Sequence, residues 1–436
     1  QYVENFWIEM KFYSTNNKSY QVSFEEAVFK SLPPDNGLFY PTNLPQLDPS
    51  WLQNLKAFSK VEIGLKVSSK FISDEIPLSR LEQIIEETID FDIPLINISD
   101  QIASLELFHG PTWAFKDVGA RFLSRCMAYF IEGSSEETTI LVATSGDTGG
   151  AVASGFFNIP GIKVKILYPK GKVSKVQRKQ LTTWGGNISA YEVAGTFDDC
   201  QRLVKQSFLD KDLNKVMNLS SANSINIARL IPQSFYYFYA IQQSESEHNV
   251  VCVPSGNYGN LTAGLWALSM GLPIERFIAA SNANSVVPEY LNTGIYKPGP
   301  SIQTYANAMD VGAPSNFVRM MELFGDDHSK IKKYISGFSL SDDEILTTIR
   351  TCRNMNNYVL DPHGAIGYQA LVKNLKPNER GIFLETAHPV KFLDVVNKAL
   401  QEPVNFDEKL LGFFDREEVY QIVTNDFPSF KEQLIS

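Results

Sequence analysis

Basic surplus, paired cysteines and long apolar runs are all missing from this chain, and each absence closes a class of function. Against 39 Lys and Arg stand 49 Asp and Glu, a formal net charge of -10 with a sequence pI near 5.2. That balance excludes a general nucleic-acid binder and disfavours attachment to anionic membranes, while leaving room for a local basic pocket. The four cysteines, Cys126, Cys200, Cys252 and Cys352, are scattered and form no CxxC or Cys/His cluster. Neither a metal site nor a disulfide framework is expected, and a reduced, cytoplasmic compartment fits. No apolar run approaches the roughly 20 residues of a membrane span, and the start lacks the basic-then-apolar pattern of a signal peptide. Residues 1–9 precede the first methionine, Met10; they are read as an extension or added segment and set aside.

What is present is enough for large cores: 436 residues, 44% hydrophobic and 12% aromatic, a length that suggests two or three domains. From about Thr138 a cycle recurs: an apolar β-prone run, a Gly/Ser-rich corner, then a segment of helical period. Thr139–Ala143 leads into SGDTGG and an Ala-rich helix. Lys163–Tyr168 leads to a Lys/Gln-rich helix from about Ser174. Asn249–Pro254 leads through SGNYG into LTAGLWALSMG, Arg276–Ala280 into SNANSVVPEYL, and Gly381–Glu385 precedes Val390–Leu400. Continuous apolar strands alternating with helices imply parallel sheets covered on both faces. The expected fold is α/β with two doubly wound parallel-sheet domains. A mainly helical region is expected over 10–105, including a helix Ser79–Ile89 with Ser79 as N-cap. A smaller α/β domain is expected over 106–245, a larger one over 246–400, and a helical, peripheral tail over 401–436.

In open parallel sheets ligands bind where strands hand over to helices, because glycine corners expose N–H groups there. Thr144-Ser145-Gly146-Asp147-Thr148-Gly149-Gly150 is one such corner, suited to a carboxylate or phosphate, although an ordinary N-cap uses the same residue types. Ser255-Gly256-Asn257-Tyr258-Gly259-Asn260 is a second, able to cradle a phosphate or simply to turn. It matches neither the Walker A pattern nor GxGxxG, so nucleoside triphosphate chemistry is set aside. A third corner, Glu385-Thr386-Ala387-His388-Pro389, ends the last strong strand; His109 and His388 read as structural rather than catalytic. The stretch HGPTWAFKD (109–117) frames Lys116 between an aromatic and an acid after a Gly-Pro corner. A lone lysine usually snorkels to water, yet an amine partly buried beside Trp113 and Phe115 loses its proton more readily and becomes a nucleophile. A desolvated lysine together with a phosphate nest suggests a Schiff base to pyridoxal phosphate.

Six ordered stretches then closely resemble the threonine synthase family, in its shorter bacterial type: HGPTWAFKD (109–117), ATSGDTGGAVA (143–153), SSANSINIARL (220–230), VPSGNYGNLTAG (253–264), NAMDVGAPSN (307–316) and ETAHPVKF (385–392). NNKSYQVSFEEAV (16–28) and NGLFYP (36–41) resemble that family's N-terminal segment. The resemblance implies the fold-type II pyridoxal-phosphate architecture and conversion of O-phospho-L-homoserine and water into L-threonine and phosphate. Carried over, Lys116 is the Schiff-base lysine and catalytic residue. Gly256, Asn257, Tyr258, Gly259 and Asn260 hold the cofactor phosphate, and Thr386 faces the pyridine nitrogen. Thr144, Ser145 and Thr148 receive the substrate carboxylate, with Asp147 near the cofactor O3'. Many fold-type II relatives have Asn where Asp147 stands, and a carboxylate beside a phenolate-like oxygen needs a shared proton. Asn226 and Arg229 are candidates for the substrate phosphate, with Lys391 a second cation to consider. The expected partner is a small-molecule substrate, without nucleic acid or membrane, for a monomer or homodimer. Two rival readings stay open: a phospholyase or dehydratase that releases a 2-oxo acid, and a family-like protein that binds without turnover.

Overall fold

The computed structural model describes residues 10–72, 75–404 and 415–435. The N-terminal region carries three short strands, β1 (Phe12–Ser14), β2 (Asn17–Val22) and β3 (Phe39–Pro41), in an antiparallel sheet of order β2-β1-β3. The region therefore contains a small sheet as well as the expected helices, Lys60–Ile72 and Leu78–Thr88 among them. Ser79 is not the N-cap of the second helix. It lies inside the first turn, because the Pro77 carbonyl already accepts from the amides of Arg80 and Leu81, both at 2.9 Å.

The remaining strands follow in chain order: β4 (Leu95–Asn97), β5 (Ile102–Glu106), β6 (Thr138–Ala143), β7 (Ile162–Pro169), β8 (Ile188–Val193), β9 (Asn218–Ser220), β10 (Asn249–Pro254), β11 (Arg276–Ser281), β12 (Ile335–Ser339), β13 (Arg380–Glu385) and β14 (Gln421–Val423). The larger sheet has the order β12-β11-β10-β13-β5-β4, parallel except for β4. The smaller sheet, β14-β8-β7-β6-β9, is parallel throughout. Strands β6 and β10 are buried at every residue, as continuous apolar runs demand when helices cover both faces of a sheet.

Two features of this topology depart from the expected boundaries. The larger sheet recruits β4 and β5 from the region before residue 107, so the chain crosses into the smaller sheet and returns. The C-terminal tail was expected to be helical and peripheral, with 405–414 outside the described residues. Instead β14 extends the smaller sheet beside β8, and the helix Phe427–Ile435 packs against it. Val423, Phe430 and Leu434 are buried with Leu141, Leu167, Tyr191 and Leu203. The physical reason is that the outer face of β6, β7 and β8 is too apolar for one helix to cover.

The helix Gly259–Ser269 is apolar all round and buried from Gly259 to Ala267, which makes it an internal element rather than a half-exposed one. Its Gly264 is required by packing: an added Cβ would stand 2.5 Å from the Tyr237 ring.

If the tail is part of the smaller sheet's core, truncating Phe430, which meets the Tyr191 ring edge-on at 5.9 Å, carries a core-sized penalty. Phe430→Ala is expected to lower unfolding stability by about 3–5 kcal/mol, measured as a shift in urea midpoint; a change within a few tenths would mean the tail is peripheral after all.

Candidate active site

Lys116 is the first residue of the helix Lys116–Phe130, and its position is fixed from two sides. Ala114 and Ala387 form an antiparallel bridge, with the Phe115 amide donating to the Thr386 carbonyl at 2.9 Å and the His388 amide to the Trp113 carbonyl at 3.0 Å. The lysine segment is thus an added strip on the end of β13. Before it, the Gly-Pro corner is clamped by Asp117, which is buried and accepts from the Thr112 amide at 2.9 Å and from the Thr112 hydroxyl. Gly110 is needed for this closeness, since a Cβ there would lie 2.6 Å from Asp117 Oδ2. Trp113 sits at φ 59°, an unfavourable region for a bulky residue.

The Lys116 amine lies 5.6 Å from the centroid of the Phe115 ring. Burial lowers its pKa to about 8, partly countered by Asp147 and reinforced by Arg229 and Lys391. Asp147 is the first residue of the helix Asp147–Phe156 and is buried. Its Oδ1 lies 2.8 Å from Lys391 Nζ and accepts from Gln177 Nε2 at 3.1 Å. Burial would raise this carboxyl, but Lys391 and then Lys116 overcome it and hold it well below the usual range.

The two glycine corners present rows of donors. Among the described residues, no protein acceptor takes the backbone N–H groups of Gly256, Asn257, Tyr258, Gly259 and Asn260. Tyr258 is left-handed at φ 61°, which turns successive amides toward one concavity at a helix start. That is the form of a phosphate nest. Side chains hold the corner from behind: Asn260 receives the Ser255 hydroxyl at 2.5 Å and donates to the Pro254 carbonyl at 2.9 Å. Asn257 donates to the Ser224 hydroxyl and accepts from the Ser315 amide at 2.6 Å. Gly256 faces the backbone of Met309, where a Cβ would stand 2.7 Å from Cα.

In the other corner the Thr144 hydroxyl accepts from the amides of Gly146 and Gly149, at 2.9 and 2.8 Å. The amides of Ser145, Asp147 and Thr148 have no protein acceptor among the described residues. Asn226 is fully engaged: it donates to the Val28 and Ser221 carbonyls at 2.8 and 3.2 Å and accepts from the Ala228 amide at 3.0 Å. Arg229 is buried, donates to the Ala222 carbonyl at 2.8 Å, and has a buried Nε with no partner. Thr386 is buried at the end of β13. His388 accepts from the Val390 amide at 3.1 Å and is held neutral by burial, down to about 4.

The structure therefore brings Asp147, Arg229 and Lys391 within electrostatic reach of Lys116, while Asn226 braces the backbone that carries Arg229. Sequence reasoning missed Gln177 and Gln180. Gln177 was visible only as the fourth residue of a Ser-x-x-Gln capping box, which it does form with Ser174. Gln180 donates to the Thr112 carbonyl at 3.0 Å, a contact with no local signal. Among the described residues no group of His, Cys, Asp or Glu could hold a metal ion, and no helix is long and apolar enough to cross a membrane.

A buried amine that gives up its proton readily, at the same sheet edge as five open amides, suits a phosphorylated aldehyde, and comparison with known proteins points the same way. A family model described as pyridoxal-phosphate dependent enzyme matches residues 98–384; models for the threonine synthase N terminus and C-terminal part match 11–89 and 364–434. The chain is 42% identical over 432 residues to threonine synthase of Escherichia coli K12, covering 98% of this chain and 100% of that one. The crystal structure of an Escherichia coli threonine synthase superposes with a TM-score of 0.92, covering 98% of this chain and 99% of that one. A pyridoxal-phosphate-bound threonine synthase from Brucella melitensis also reaches 0.92, at 35% identity and 98% coverage of both chains.

Brief acylation of the cofactor-free protein, mapped by mass spectrometry, should show Lys116 half-reactive near pH 8, where its pKa is placed, with more neutral amine above that pH and less below. A midpoint near the ordinary lysine value of about 10.4 would show that the amine is not desolvated.

Proposed function

The chain belongs to the threonine synthase family of pyridoxal-phosphate-dependent enzymes, and from that premise we propose how its own residues divide the work. The reaction takes O-phospho-L-homoserine and water to L-threonine and phosphate. Pyridoxal phosphate, when bound, supplies an electron sink for the charge that develops as protons leave the substrate. The observation that carries the assignment of parts is a desolvated lysine, depressed to about 8, at the same sheet edge as five consecutive amides with no acceptor among the described residues.

Lys116 would bond the cofactor's aldehyde carbon and, once displaced from it by the substrate's own amine, would serve as the base at Cα and Cβ and the acid that returns a proton, since an amine with a pKa near 8 changes protonation state at little cost near neutrality. The amides of Gly256, Asn257, Tyr258, Gly259 and Asn260 would hold the cofactor phosphate. Thr386 would face the ring nitrogen and Asp147 the ring oxygen. Ser145 and Thr148 would receive the substrate carboxylate on a loop whose shape Thr144 fixes. Arg229, with its unmatched buried Nε, is the group of the SINIAR stretch suited to the substrate phosphate, and Asn226 holds it in place. We further read the protein as a cytoplasmic enzyme that works as a monomer or homodimer without nucleic acid. Four free, buried cysteines, the net negative charge and a site assembled from one chain support this.

Incubated with O-phospho-L-homoserine and cofactor, the protein should release threonine and phosphate in equal amounts. A product that is mainly 2-oxobutyrate would move it to the phospholyase reading, and no turnover to the binding reading. Lys116→Ala should lower threonine formation by about 10²–10⁴-fold. Gly256→Ala, whose Cβ meets the Met309 backbone, should weaken cofactor binding about tenfold or more, the equivalent of about 1.4 kcal/mol of strain. Titration of cofactor absorbance against protein measures it; unchanged affinity would remove the loop from the phosphate site.

A further inference from the structure

Two amines and one carboxylate meet where the two sheets come together. Asp147 belongs to the helix after β6 in the smaller sheet. Lys391 belongs to the 3-10 turn Pro389–Phe392 after β13 in the larger one. Both side chains are withdrawn from solvent, 4% and 0% exposed, with Lys391 Nζ 2.8 Å from Asp147 Oδ1. The same Nζ donates to the Thr112 carbonyl at 2.9 Å, so Lys391 also holds the corner that precedes Lys116. Gln177 and Gln180, one helical turn apart, repeat the arrangement with amide donors, one to Asp147 and one to Thr112.

The charged groups facing Lys116 are Asp147, Arg229 and Lys391, each from a different element. Those facing Asp147 are Lys391 and Lys116. Asp117, on the lysine's own helix, is turned to Thr112 and feels Lys391 and Arg121. Two amines thus compete for one buried carboxylate, and the contact goes to Lys391. An ammonium locked in a buried ion pair is no nucleophile.

Resting on the reading of Lys116 as the cofactor-bonding amine, we infer that Lys391 is a positioning residue: by taking Asp147 as its permanent partner it keeps Lys116 from becoming that partner, and so leaves the Lys116 amine free to be neutral. A mere staple between the sheets would affect stability and leave the proton affinity of Lys116 where it is.

Pulse acylation of Lys116 across pH in the full-length, cofactor-free chain reads that affinity directly. Lys391→Met should move the midpoint up by about one pH unit or more, about tenfold less neutral amine at pH 7. Lys391→Arg should stay near the native value, and Asp147→Asn combined with Lys391→Met should return it to the native value or below. An unmoved or lowered midpoint in Lys391→Met, or a double variant no different from it, overturns the inference. Should Lys391→Met not fold, Asp147→Asn alone carries the test: with only cations facing it Lys116 must titrate lower, and an unmoved midpoint again overturns the inference. Borohydride trapping of added pyridoxal phosphate on a lysine other than Lys116 would instead overturn the reading of the catalytic amine, and is seen separately by peptide mapping.

Discussion

A carboxylate taken out of water must have a cation, and the placement of Asp147 against Lys391 is the constraint from which the rest of the site follows. Breaking a buried pair of this kind by removing one partner costs about 3–5 kcal/mol, because the other charge is left stranded. The pair joins the helix after β6 to the turn after β13. The two sheets, whose strands contribute to one shared core, are therefore held in a set relation at the point where Lys116 stands. Gln177 and the Thr112 carbonyl complete the hydrogen bonding of carboxylate and ammonium, which is what makes so dry a pair tolerable.

Around that pair the backbone offers most of the open donors. The two corners offer amides that no acceptor among the described residues takes, and the strain that keeps them so is local. Tyr258 and Trp113 both adopt left-handed backbone at φ near 60°, each on a site loop, and each is held by contacts that outweigh the cost. At the phosphate corner Asn257 and Asn260 fasten neighbouring segments with their side chains and leave their own amides open. An anion held by amides at a helix start needs no lysine, which frees the nearby amine for chemistry rather than charge balance.

Much of this was legible in the sequence, for particular reasons. β6 and β10 read as strands because they are buried on both faces and so uniformly apolar. The glycine corners read as candidate ligand sites because corners between strand and helix expose backbone N–H groups. The Asp147–Lys391 pair was not legible: its residues are 244 positions apart by their numbering, and only the third dimension shows which of the two lysines takes the acid. The tail was misjudged because β14 is three residues long and two of them, Gln421 and Ile422, are exposed, so no apolar run announces a strand. Ser79 misled because serine is favoured as an N-cap, whereas here Pro77 had already supplied the accepting carbonyl.

The strand end that holds the lysine segment is itself fixed from behind, by buried acids. Glu385, the last residue of β13, is buried, and burial together with the neighbouring Asp361 pushes its carboxyl well above the usual range, which favours its neutral form. Its Oε1 accepts from the Asp361 amide at 2.8 Å, and Gly364 has no Cβ because one would stand 1.6 Å from its Oε2. Asp361 caps the helix Pro362–Asn374 and pairs with His363. His363 Nε2 in turn accepts from the Ala308 amide at 3.3 Å, in the segment that closes over Gly256. Asp117 clamps the approach to Lys116 in front; Glu385 fixes the strand end behind it, one residue before Thr386 receives the Phe115 amide. A neutral acid suits this place, since Asp361 and Glu106 already face it and a further charge would add to their repulsion. Asp147 differs in having Lys391 Nζ 2.8 Å away, and there the carboxyl is held well below the usual range.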